Sequence, residues 1–278
     1  MASTAPKCTV SESLSDDAFR MFQQFTLEHT GIKLGNNKKS MIVTRFGRRL
    51  HALSLSSFEE YLDVLSNPHN PETIDFIDTI TTNLTYFFRE PHHFDFLNKI
   101  VLPELVAGRA HEQAVRIWSA GCSSGQEPYS LAMSALECPD MENYKTKILC
   151  TDINTTMVKT TVSGVYRESE LRGLSPAKKS RWFEGKAGGK WQASSELRKL
   201  LICRQLNLFS PWPVRPDVDI VFCRNVLIYF NESFQKKVLR GFANIQKPGS
   251  YLFLGHSETL GDSTEDYQRV DNTVFKRL

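Results

Sequence analysis

The first part of the chain, up to about residue 85, carries apolar residues at helical spacing and shows no strand-like alternation. In LSDDAFRMFQQFTLEHTG, Phe19, Phe22 and Phe25 recur on one side of a helix. Ser15 is of a residue type that caps helix N-termini, and Gly31 is of a type that ends helices. The same pattern predicts three more helices, which begin near Lys38, at Ser56 or Ser57, and after Pro71.

Beyond Pro91 the pattern changes to short, β-rich apolar runs separated by helical segments. The runs are VRIWSAGC, KILCTDI, DVDIVFC and GSYLFLGHS. Continuous apolar strands that alternate with helices are typical of a parallel sheet covered by helices on both faces. This half of the chain is therefore predicted to be a doubly wound α/β domain.

The pattern divides the protein into three parts. Residues 1–13 are small and polar and are expected to be flexible, residues 14–85 form the helical domain, and residues 86–278 form the sheet-containing domain. An insertion at about 182–204 interrupts the alternation of strands and helices. Its glycines and Trp191 predict a small hairpin.

Composition narrows the class of protein without assigning a function. Hydrophobic residues make up 41% and charged residues 23% of the 278 residues, as in ordinary globular proteins. The net charge of +3 is too small to indicate a nucleic-acid-binding domain. No apolar signal-peptide core and no membrane-spanning stretch is seen, so a soluble cytoplasmic protein is expected.

The cysteines do not form a recognisable metal or disulfide framework. No CxxC pair occurs, and several cysteines lie inside apolar runs, which predicts buried, reduced thiols. They are Cys8, Cys122, Cys138, Cys150, Cys203 and Cys223.

Two features near the predicted strands indicate a nucleoside cofactor. The turn SAGCSSGQEPYS follows a strand and precedes a helix, where small residues let the backbone approach a ligand. Its Gly121 and Gly125 match neither GxGxxG nor a P-loop. Asp152 ends the next strand, where an acid accepts hydrogen bonds from ribose hydroxyls. These features do not distinguish NAD from S-adenosylmethionine, but Glu127 suits an α-amino group or a sulfonium better than a pyrophosphate.

Two further segments carry polar residues at the expected site. In VFCRNVLIYF, Arg224 and Asn225 follow a buried strand and should emerge at the carboxyl edge of the sheet. In TTNLTYFFRE, Asn83, Thr85 and Arg89 alternate with apolar residues, including three aromatics in a row. These aromatics are expected to pack on the sheet-containing domain and present the polar residues to its cleft.

Four motifs of the chain together resemble the CheR family of chemotaxis receptor methyltransferases, in the family's order and spacing: TTNLTYFFRE, IWSAGCSSGQEPYSLA, FCRNVLIYF and LFLGHSE. The resemblance extends from about residue 14 to the C terminus. The resemblance implies a Rossmann-like class I methyltransferase domain with a small inserted β-subdomain, behind a helical N-terminal domain. It also implies S-adenosylmethionine as cofactor, S-adenosylhomocysteine as product, and no metal. The residues implied to line the cofactor site are Asn83, Thr85, Arg89, Glu127, Asp152, Asn207, Leu208, Arg224 and Asn225.

The reaction implied by this resemblance is transfer of a methyl group to glutamate side chains of receptors. A glutamate with a pKa of about 4.3 is already ionised at neutral pH, so no general base is needed. The enzyme has mainly to align the reactants and exclude water. Tyr229 is implied to lie near the transferred methyl, and Arg89, Arg224 and Tyr229 are the candidate catalytic residues.

A basic face of the second predicted helix is the candidate receptor-docking surface. Ile42, Phe46, Leu50 and Leu53 are predicted to face the core, and the opposite side carries four basic residues. These are Lys38, Arg45, Arg48 and Arg49. The alternative is a solvated face without a partner. The resemblance favours docking to the acidic helices of the cytoplasmic part of methyl-accepting chemotaxis receptors, through which the enzyme would approach the membrane.

Other functions stay open at this point. Some enzymes of the CheR type are also tethered to a peptide at the receptor C terminus, which the loosely matching insertion FEGKAGGKWQASSEL could bind. A methyltransferase acting on small molecules or nucleic acids, an NAD-dependent oxidoreductase and a non-catalytic regulatory module are the rival interpretations. FCRNVLIYF in place of an [ND]PP[YF] motif disfavours an amino-group methyltransferase, and the glycine turn disfavours the oxidoreductase.

Overall fold

A computed structural model describes residues 14–67, 70–261 and 264–278. The chain forms two compact units that divide after Thr82, three residues before the expected boundary. The segment 1–13, expected to be flexible, lies outside the described residues. No helix that the structure describes has both the length and the apolar character needed to cross a membrane.

The N-terminal unit contains the four helices that the sequence pattern predicts. They are α1 Asp16–Thr30, α2 Lys39–Leu53, α3 Phe58–Leu65 and α4 Glu72–Ile80. Ser15 caps α1 by accepting a 3.1 Å hydrogen bond from the Ala18 amide, and Ser57 caps α3 in the same way. Gly31 ends α1 with a φ of 73°, a conformation that glycine adopts without steric cost.

The core of this unit is largely aromatic. Phe22 lies at its centre, with ring centroids 5.1 Å from Phe46 and 5.8 Å from Phe76, and all three side chains are buried. From α2, Ile42, Phe46 and Leu50 contribute to the core as predicted. The prediction for Leu53 is wrong, since it is 38% exposed. Leu53 is the last residue of α2, and the chain turns away directly after it.

The C-terminal unit alternates strands and helices. Its helices are α5 Pro91–Phe96, α6 Leu102–Val106, α7 Gln126–Glu137, α8 Thr155–Ser163, α9 Pro176–Trp182, α10 Ser195–Arg198 and α11 Glu232–Ile245, with a π-helical turn, Leu97–Val101, between α5 and α6. Its strands are β1 Val115–Ala120, β2 Thr146–Asp152, β3 Val165–Arg167, β4 Phe183–Lys186, β5 Lys190–Ala193, β6 Leu201–Gln205, β7 Ile220–Cys223, β8 Tyr251–Leu254, β9 Tyr267–Asp271 and β10 Val274–Arg277.

Seven strands form one sheet in the order β6-β2-β1-β7-β8-β10-β9. The first five are parallel, with Ile117 in register with Ile148 on one side and Ile220 on the other. The last two strands are antiparallel. The sequence pattern did not predict this C-terminal hairpin, because YQRVD buries only its first residue and lacks the continuous apolar run of a central strand.

Each face of the sheet has its own hydrophobic core. Alternate residues of one strand belong to different clusters, so Ile220 and Phe222 of β7 face one side while Val221 and Cys223 face the other. Helices α5, α6 and α7 cover the first face and α11 covers the second. The predicted doubly wound α/β domain is confirmed.

The small inserted sheet has the antiparallel order β3-β5-β4. Strands β4 and β5 form the predicted hairpin, with positive φ angles of 74° at Gly188 and 67° at Gly189 in its turn. The insertion differs in extent from the range 182–204 inferred from the sequence. The small sheet begins at Val165, whereas β6 belongs to the large sheet, where Cys203 pairs with Cys150 of β2. Because β6 is a half-exposed edge strand, it lacks a buried strand's apolar run.

The predicted burial holds for four of the five cysteines that the structure describes. Cys122, Cys138, Cys150 and Cys223 are buried, Cys203 is partly exposed, and all five are free thiols. Burial raises the pKa values of Cys122, Cys150 and Cys223, so these thiols stay protonated at neutral pH. Cys8 lies outside the described residues.

Candidate active site

The candidate site lies where the order of the large sheet reverses. From β1 the chain proceeds to β2 and β6 on one side, and then crosses to β7 and β8 on the other. In open α/β sheets, ligands bind outside the carboxyl ends of the strands at such a reversal. The chain segments that leave β1, β2, β7 and β8 meet at this edge, and they contain half of the cofactor and catalytic residues inferred from the sequence.

The turn after β1 is close-packed and requires glycine at two positions. Gly121 has a φ of 85°, and a Cβ atom there would lie 2.4 Å from Cγ2 of Val226. Gly125 has a φ of 97°, and its Cβ would lie 2.7 Å from the hydroxyl of Tyr166. Small residues therefore serve two purposes here: they permit the left-handed backbone and they let neighbouring segments approach the turn.

Asp152 at the end of β2 organises this turn. Its Oδ2 accepts a 2.8 Å hydrogen bond from the Ser123 amide, and its Oδ1 accepts a 2.9 Å bond from the Asn154 amide. The Ser123 hydroxyl in turn donates to the carbonyl of Asn83 at 3.0 Å. Each carboxylate oxygen can accept more than one hydrogen bond, so these contacts are compatible with recognition of a ribose diol at the same carboxylate.

Glu127 and Arg224 form a buried ion pair between α7 and the end of β7. Nε of Arg224 lies 3.1 Å from Oε2 of Glu127, and the Ser119 hydroxyl donates to Oε1 of Glu127 at 2.7 Å. Burial raises the pKa of Glu127, while Arg224 and Ser119 act in the opposite direction. The arginine thus stabilises a carboxylate that its surroundings would otherwise favour in the neutral form.

His93 of α5 and Arg89 fix the other end of the Arg224 guanidinium. Nη1 of Arg224 donates to Nδ1 of His93 at 3.1 Å, and Nη2 donates to the carbonyl of Arg89 at 2.6 Å. Since arginine only donates, Nδ1 of His93 is an acceptor and the ring proton is on Nε2, which lies 2.9 Å from the Thr273 hydroxyl. Burial, together with the charge of Arg224, lowers the pKa of His93 to about 4.

This arrangement argues against a cation at His93. Ligand atoms of Glu90, His92 and His93 lie within 4.8 Å of one another, which is a spacing that could hold a metal ion. However, the Nδ1 lone pair of His93 is engaged by Arg224, and the guanidinium charge would repel a cation. His93 is better explained as a buried support of Arg224.

The depressed pKa of His93 predicts how stability depends on pH. In the unfolded chain His93 is protonated below about pH 6.5, whereas in the folded protein it stays neutral down to about pH 4. The free energy of unfolding therefore falls as the pH decreases through this window. The contribution is at most about 3 kcal/mol. We expect His93→Asn, whose side-chain oxygen can still accept from Arg224, to flatten this dependence in urea unfolding curves between pH 7 and pH 5.

The matched control is His111→Asn, at an exposed histidine of the same unit. It should leave the pH dependence of the wild-type protein unchanged. If the His93→Asn and wild-type free energies of unfolding run parallel with pH, His93 is not the group responsible.

The loop after β7 completes the site. Asn225 adopts a left-handed φ of 60°, and its amide donates to Oε2 of Glu258 at 2.8 Å. Tyr229 ends a short 3-10 turn, Leu227–Tyr229, and is half-buried. These residues follow Arg224 directly, so one loop carries three of the residues inferred from the sequence.

Asn207 and Leu208 lie beyond the end of β6, next to Asp152 along the edge. The Leu206 amide donates to the Asp152 carbonyl at 3.0 Å, which holds the two strand ends together. Asn207 caps its own turn through a 2.9 Å bond from the Phe209 amide to its Oδ1, and Leu208 is buried. Both residues therefore lie at the same edge of the sheet as Asp152.

The segment 83–90 packs on this unit through its aromatic residues, as expected. Phe87 is fully buried, with ring centroids 5.3 Å from Tyr166 and 5.4 Å from Phe183. Nη1 of Arg89 donates to the Leu84 carbonyl at 3.0 Å. Leu84 itself is 76% exposed, and Thr85 is half-buried.

Three contributors to the site were not identified from the sequence. His93, Ser119 and Glu258 are buried polar residues that hold site residues in place. The only sequence signal for Glu258 was its place in LFLGHSE. His93 follows directly on TTNLTYFFRE, and Ser119 lies inside an apolar strand, so neither has a local pattern that marks it as functional.

The site fits a nucleoside cofactor that carries a positive charge. A close-packed glycine turn, an acid at the end of β2 and a second acid in the first turn of α7 are all at the same edge. The acid at the end of β2 suits the ribose of either cofactor, whereas Glu127 lies at the start of α7, where a dinucleotide would place its pyrophosphate, and suits a cationic group instead. The acids at this edge therefore favour S-adenosylmethionine over NAD as the cofactor.

Comparison with known proteins agrees with this geometry. Residues 83–276 match the family described as "CheR methyltransferase, SAM binding domain", and residues 17–81 match "CheR methyltransferase, all-alpha domain". The chain is 37% identical over 268 residues to the chemotaxis protein methyltransferase of Escherichia coli K12, covering 95% of this chain and 91% of that protein. It is also 37% identical over 252 residues to a probable chemotaxis protein methyltransferase of Rhizobium etli, covering 88% and 94%.

A third relative gives the same result. The chain is 35% identical over 263 residues to chemotaxis protein methyltransferase 1 of Pseudomonas aeruginosa, covering 93% of this chain and 96% of that protein. Both family domains are present in the order predicted from the sequence, and together they span nearly the whole of the described chain. The chain belongs to the CheR family of S-adenosylmethionine-dependent chemotaxis methyltransferases.

Proposed function

We propose that the edge formed by β1, β2 and β7 brings a receptor glutamate to the methyl group of S-adenosylmethionine, so that the enzyme is a cytoplasmic protein-glutamate O-methyltransferase. Glutamate specificity follows from the family to which the chain belongs. The observation that carries the proposal is the buried Glu127–Arg224 pair beside Asp152, at the reversal point of the sheet. The products are a glutamate methyl ester and S-adenosylhomocysteine.

The acceptor carboxylate needs orientation more than activation. Bound S-adenosylmethionine supplies an electrophilic sulfonium methyl, and the ionised glutamate is already a nucleophile. Arg224 is buried and held by three partners, so its charge is fixed within the site. Arg89 is partly exposed, and Tyr229 is half-buried on the loop after β7. We assign Arg89 and Tyr229 to contact with the acceptor carboxylate. Arg224 is assigned to electrostatic positioning, because an arginine that bound the carboxylate tightly would stabilise the ground state and slow the transfer.

Transfer of labelled methyl from S-adenosylmethionine to receptor-containing membranes tests this proposal. We expect label on the receptor that mild alkali releases as methanol, since carboxyl methyl esters are labile to base. Alkali-stable label would contradict glutamate esterification and would indicate N- or C-methylation. Binding of S-adenosylhomocysteine without transfer to any receptor would instead favour a non-catalytic module.

The basic surface formed by α2 and by Lys38, in the 3-10 turn before it, is a second part of the proposal, and its four basic residues are not equivalent. Nη1 of Arg45 donates to the carbonyls of Thr79, Ile80 and Thr81, which caps the C terminus of α4. Arg49 pairs with the buried Glu72 and with Asp75. Lys38 and Arg48 are exposed. We therefore assign receptor docking mainly to Lys38 and Arg48, and assign Arg45 and Arg49 a stabilising role within the helical unit.

This division predicts the effect of charge reversal. Lys38→Glu with Arg48→Glu should raise KM for receptor about tenfold and leave the affinity for S-adenosylhomocysteine unchanged, because exposed charges steer the encounter of partners. The effect should shrink at high salt. The measurement is receptor methylation at two ionic strengths, together with calorimetric titration of S-adenosylhomocysteine.

A matched control reverses two exposed charges in the other unit, Lys145→Glu with Arg215→Glu. It should leave receptor KM unchanged. Equal increases in KM for both double variants would show a response to net charge rather than docking through α2.

A receptor C-terminal peptide is a further candidate partner. Strand β4 is at the edge of the small sheet, and its residues from Glu184 to Lys186 are exposed. An edge strand can pair with an extended peptide through its free backbone groups. Calorimetric titration of a receptor C-terminal peptide, with a scrambled peptide as control, would test this part of the proposal.

A further inference from the structure

Glu258 is a buried carboxylate that binds four backbone amides at the candidate site. It is 4% exposed and follows β8 by four residues. Its Oε2 accepts from the amides of Asn225 at 2.8 Å and Gly255 at 2.6 Å. Its Oε1 accepts from the amides of Val226 at 2.8 Å and Ile228 at 3.3 Å. One side chain thus joins the loop after β7 to the loop after β8.

These contacts hold a backbone that would not be favoured on its own. Asn225 has a φ of 60°, and a left-handed conformation at a residue other than glycine costs about 1 kcal/mol or more. Its amide bond to Glu258 stabilises that conformation. Gly255 allows the two loops to meet, since a Cβ there would lie 2.6 Å from Nδ2 and 2.8 Å from the amide nitrogen of Asn225.

The same loop reaches the glycine turn and the residue inferred to lie at the methyl group. The side chain of Val226 fills the space that a Cβ on Gly121 would occupy. The Tyr229 amide donates to the Val226 carbonyl at 3.2 Å, so the position of Tyr229 depends on the part of the loop that Glu258 binds. Hydrogen bonds from backbone amides to a carboxylate are stronger than neutral ones, so this anchor is rigid.

We propose that Glu258 is a positioning residue for methyl transfer, which sets Asn225 toward the cofactor and Tyr229 toward the acceptor through the backbone of residues 225–228. This inference rests on the roles proposed above for Asn225 and Tyr229. A purely structural role is the alternative, in which Glu258 stabilises the fold without affecting the chemistry of folded molecules.

The test compares Glu258→Ala and Glu258→Gln with the control Glu112→Gln, at an exposed residue in the loop before β1. Glutamine keeps one acceptor oxygen but places an amide nitrogen against two backbone donors, so it should preserve only part of the anchor. We expect kcat/KM for receptor methylation to fall about 100-fold in Glu258→Ala and about tenfold in Glu258→Gln, as for a misplaced reacting group. The affinity for S-adenosylhomocysteine should weaken in the same order.

Measurements are made well below the melting temperature and are normalised to the folded fraction, so a loss of stability alone does not change them. If Glu258→Ala does not fold, the comparison of Glu258→Gln with the control decides the question. Wild-type kinetics and affinity in the folded Glu258→Gln variant would overturn the inference. Asn225→Ala and Tyr229→Phe are measured in parallel, and wild-type behaviour in both would refute the site assignment itself rather than the anchor alone.

Discussion

Replacing Asp152 with asparagine is expected to weaken the binding of S-adenosylhomocysteine about 100-fold. The carboxylate accepts hydrogen bonds from the amides of Ser123 and Asn154 and is proposed to accept bonds from the cofactor ribose. An asparagine replaces one of the two accepting carboxylate oxygens with an NH2 group, which donates hydrogen bonds. A hydrogen bond to a charged group contributes about 1.5–3 kcal/mol, and 2.7 kcal/mol corresponds to about 100-fold in affinity.

Calorimetric titration of S-adenosylhomocysteine is the direct measurement. Asp271→Asn, at an exposed acid at the end of β9, is the control and should bind like the wild-type protein. An unchanged affinity in Asp152→Asn would show that the acid at the end of β2 supports only the turn. The cofactor site would then have to be centred elsewhere along the edge.

Removing the charge of Arg224 is expected to affect both stability and catalysis. Arg224→Met leaves Glu127 buried without its cation, and breaking one partner of a buried pair costs about 3–5 kcal/mol. Methylation should fall at least about 1000-fold, because the site loses its fixed positive charge. Arg224→Lys keeps the charge but cannot reach Glu127, His93 and the Arg89 carbonyl together, so an intermediate loss of activity is expected.

The pH dependence of the free energy of unfolding tests whether Glu127 is the unpaired charge in Arg224→Met. Without Arg224 the pKa of Glu127 is expected to rise further, because burial already raises it. The folded protein then binds a proton at Glu127 more readily than the unfolded chain, and loss of the Arg224 charge also relieves the lowered pKa of His93. Both changes act in the same direction, so the deficit in stability of Arg224→Met should shrink as pH falls. The measurement is urea unfolding of both proteins at pH 5 and pH 7.

The double variant Arg224→Met with Glu127→Gln supplies the control. It removes the buried charge as well as its partner, so it should recover much of the stability and none of the methylation. Recovery of activity in the double variant would contradict a catalytic contribution from the ion pair. A deficit that grows at low pH would contradict the assignment of the unpaired charge to Glu127.

Many features of the fold could be predicted from the sequence because they depend on local pattern. The apolar runs of β7 and β8 are buried on both faces, and such strands are recognisable without knowledge of their neighbours. The caps Ser15 and Ser57 act on amides three residues away, within one turn of helix. Strands β6 and β9 could not be predicted in this way. Both are partly exposed, so their sequences lack the continuous apolar run of a buried strand.

The candidate site was predictable to the extent that strand ends determine it. Asp152 ends a recognisable strand, Gly121 and Arg224 each follow one directly, and parallel strands place their carboxyl ends at one edge. The partners of these residues could not be predicted. His93 lies 131 positions from Arg224 along the chain, and Glu258 lies 33 positions from Asn225. No periodicity within a helix or strand specifies contacts over such separations.

The two-domain order, the parallel sheet and the residues at its candidate functional edge could thus be inferred from the sequence, because burial of apolar runs and the chemistry of strand ends are local properties. Which charged side chains are available to a partner depends on the fold. The sequence does not distinguish the four basic residues Lys38, Arg45, Arg48 and Arg49 from one another. In the structure, Arg45 and Arg49 bind α4, whereas Lys38 and Arg48 are exposed to solvent. The same holds for His93, whose neutral form results from burial beside a guanidinium. Burial and long-range pairing set the charge and freedom of a side chain, and both depend on neighbours that the fold supplies.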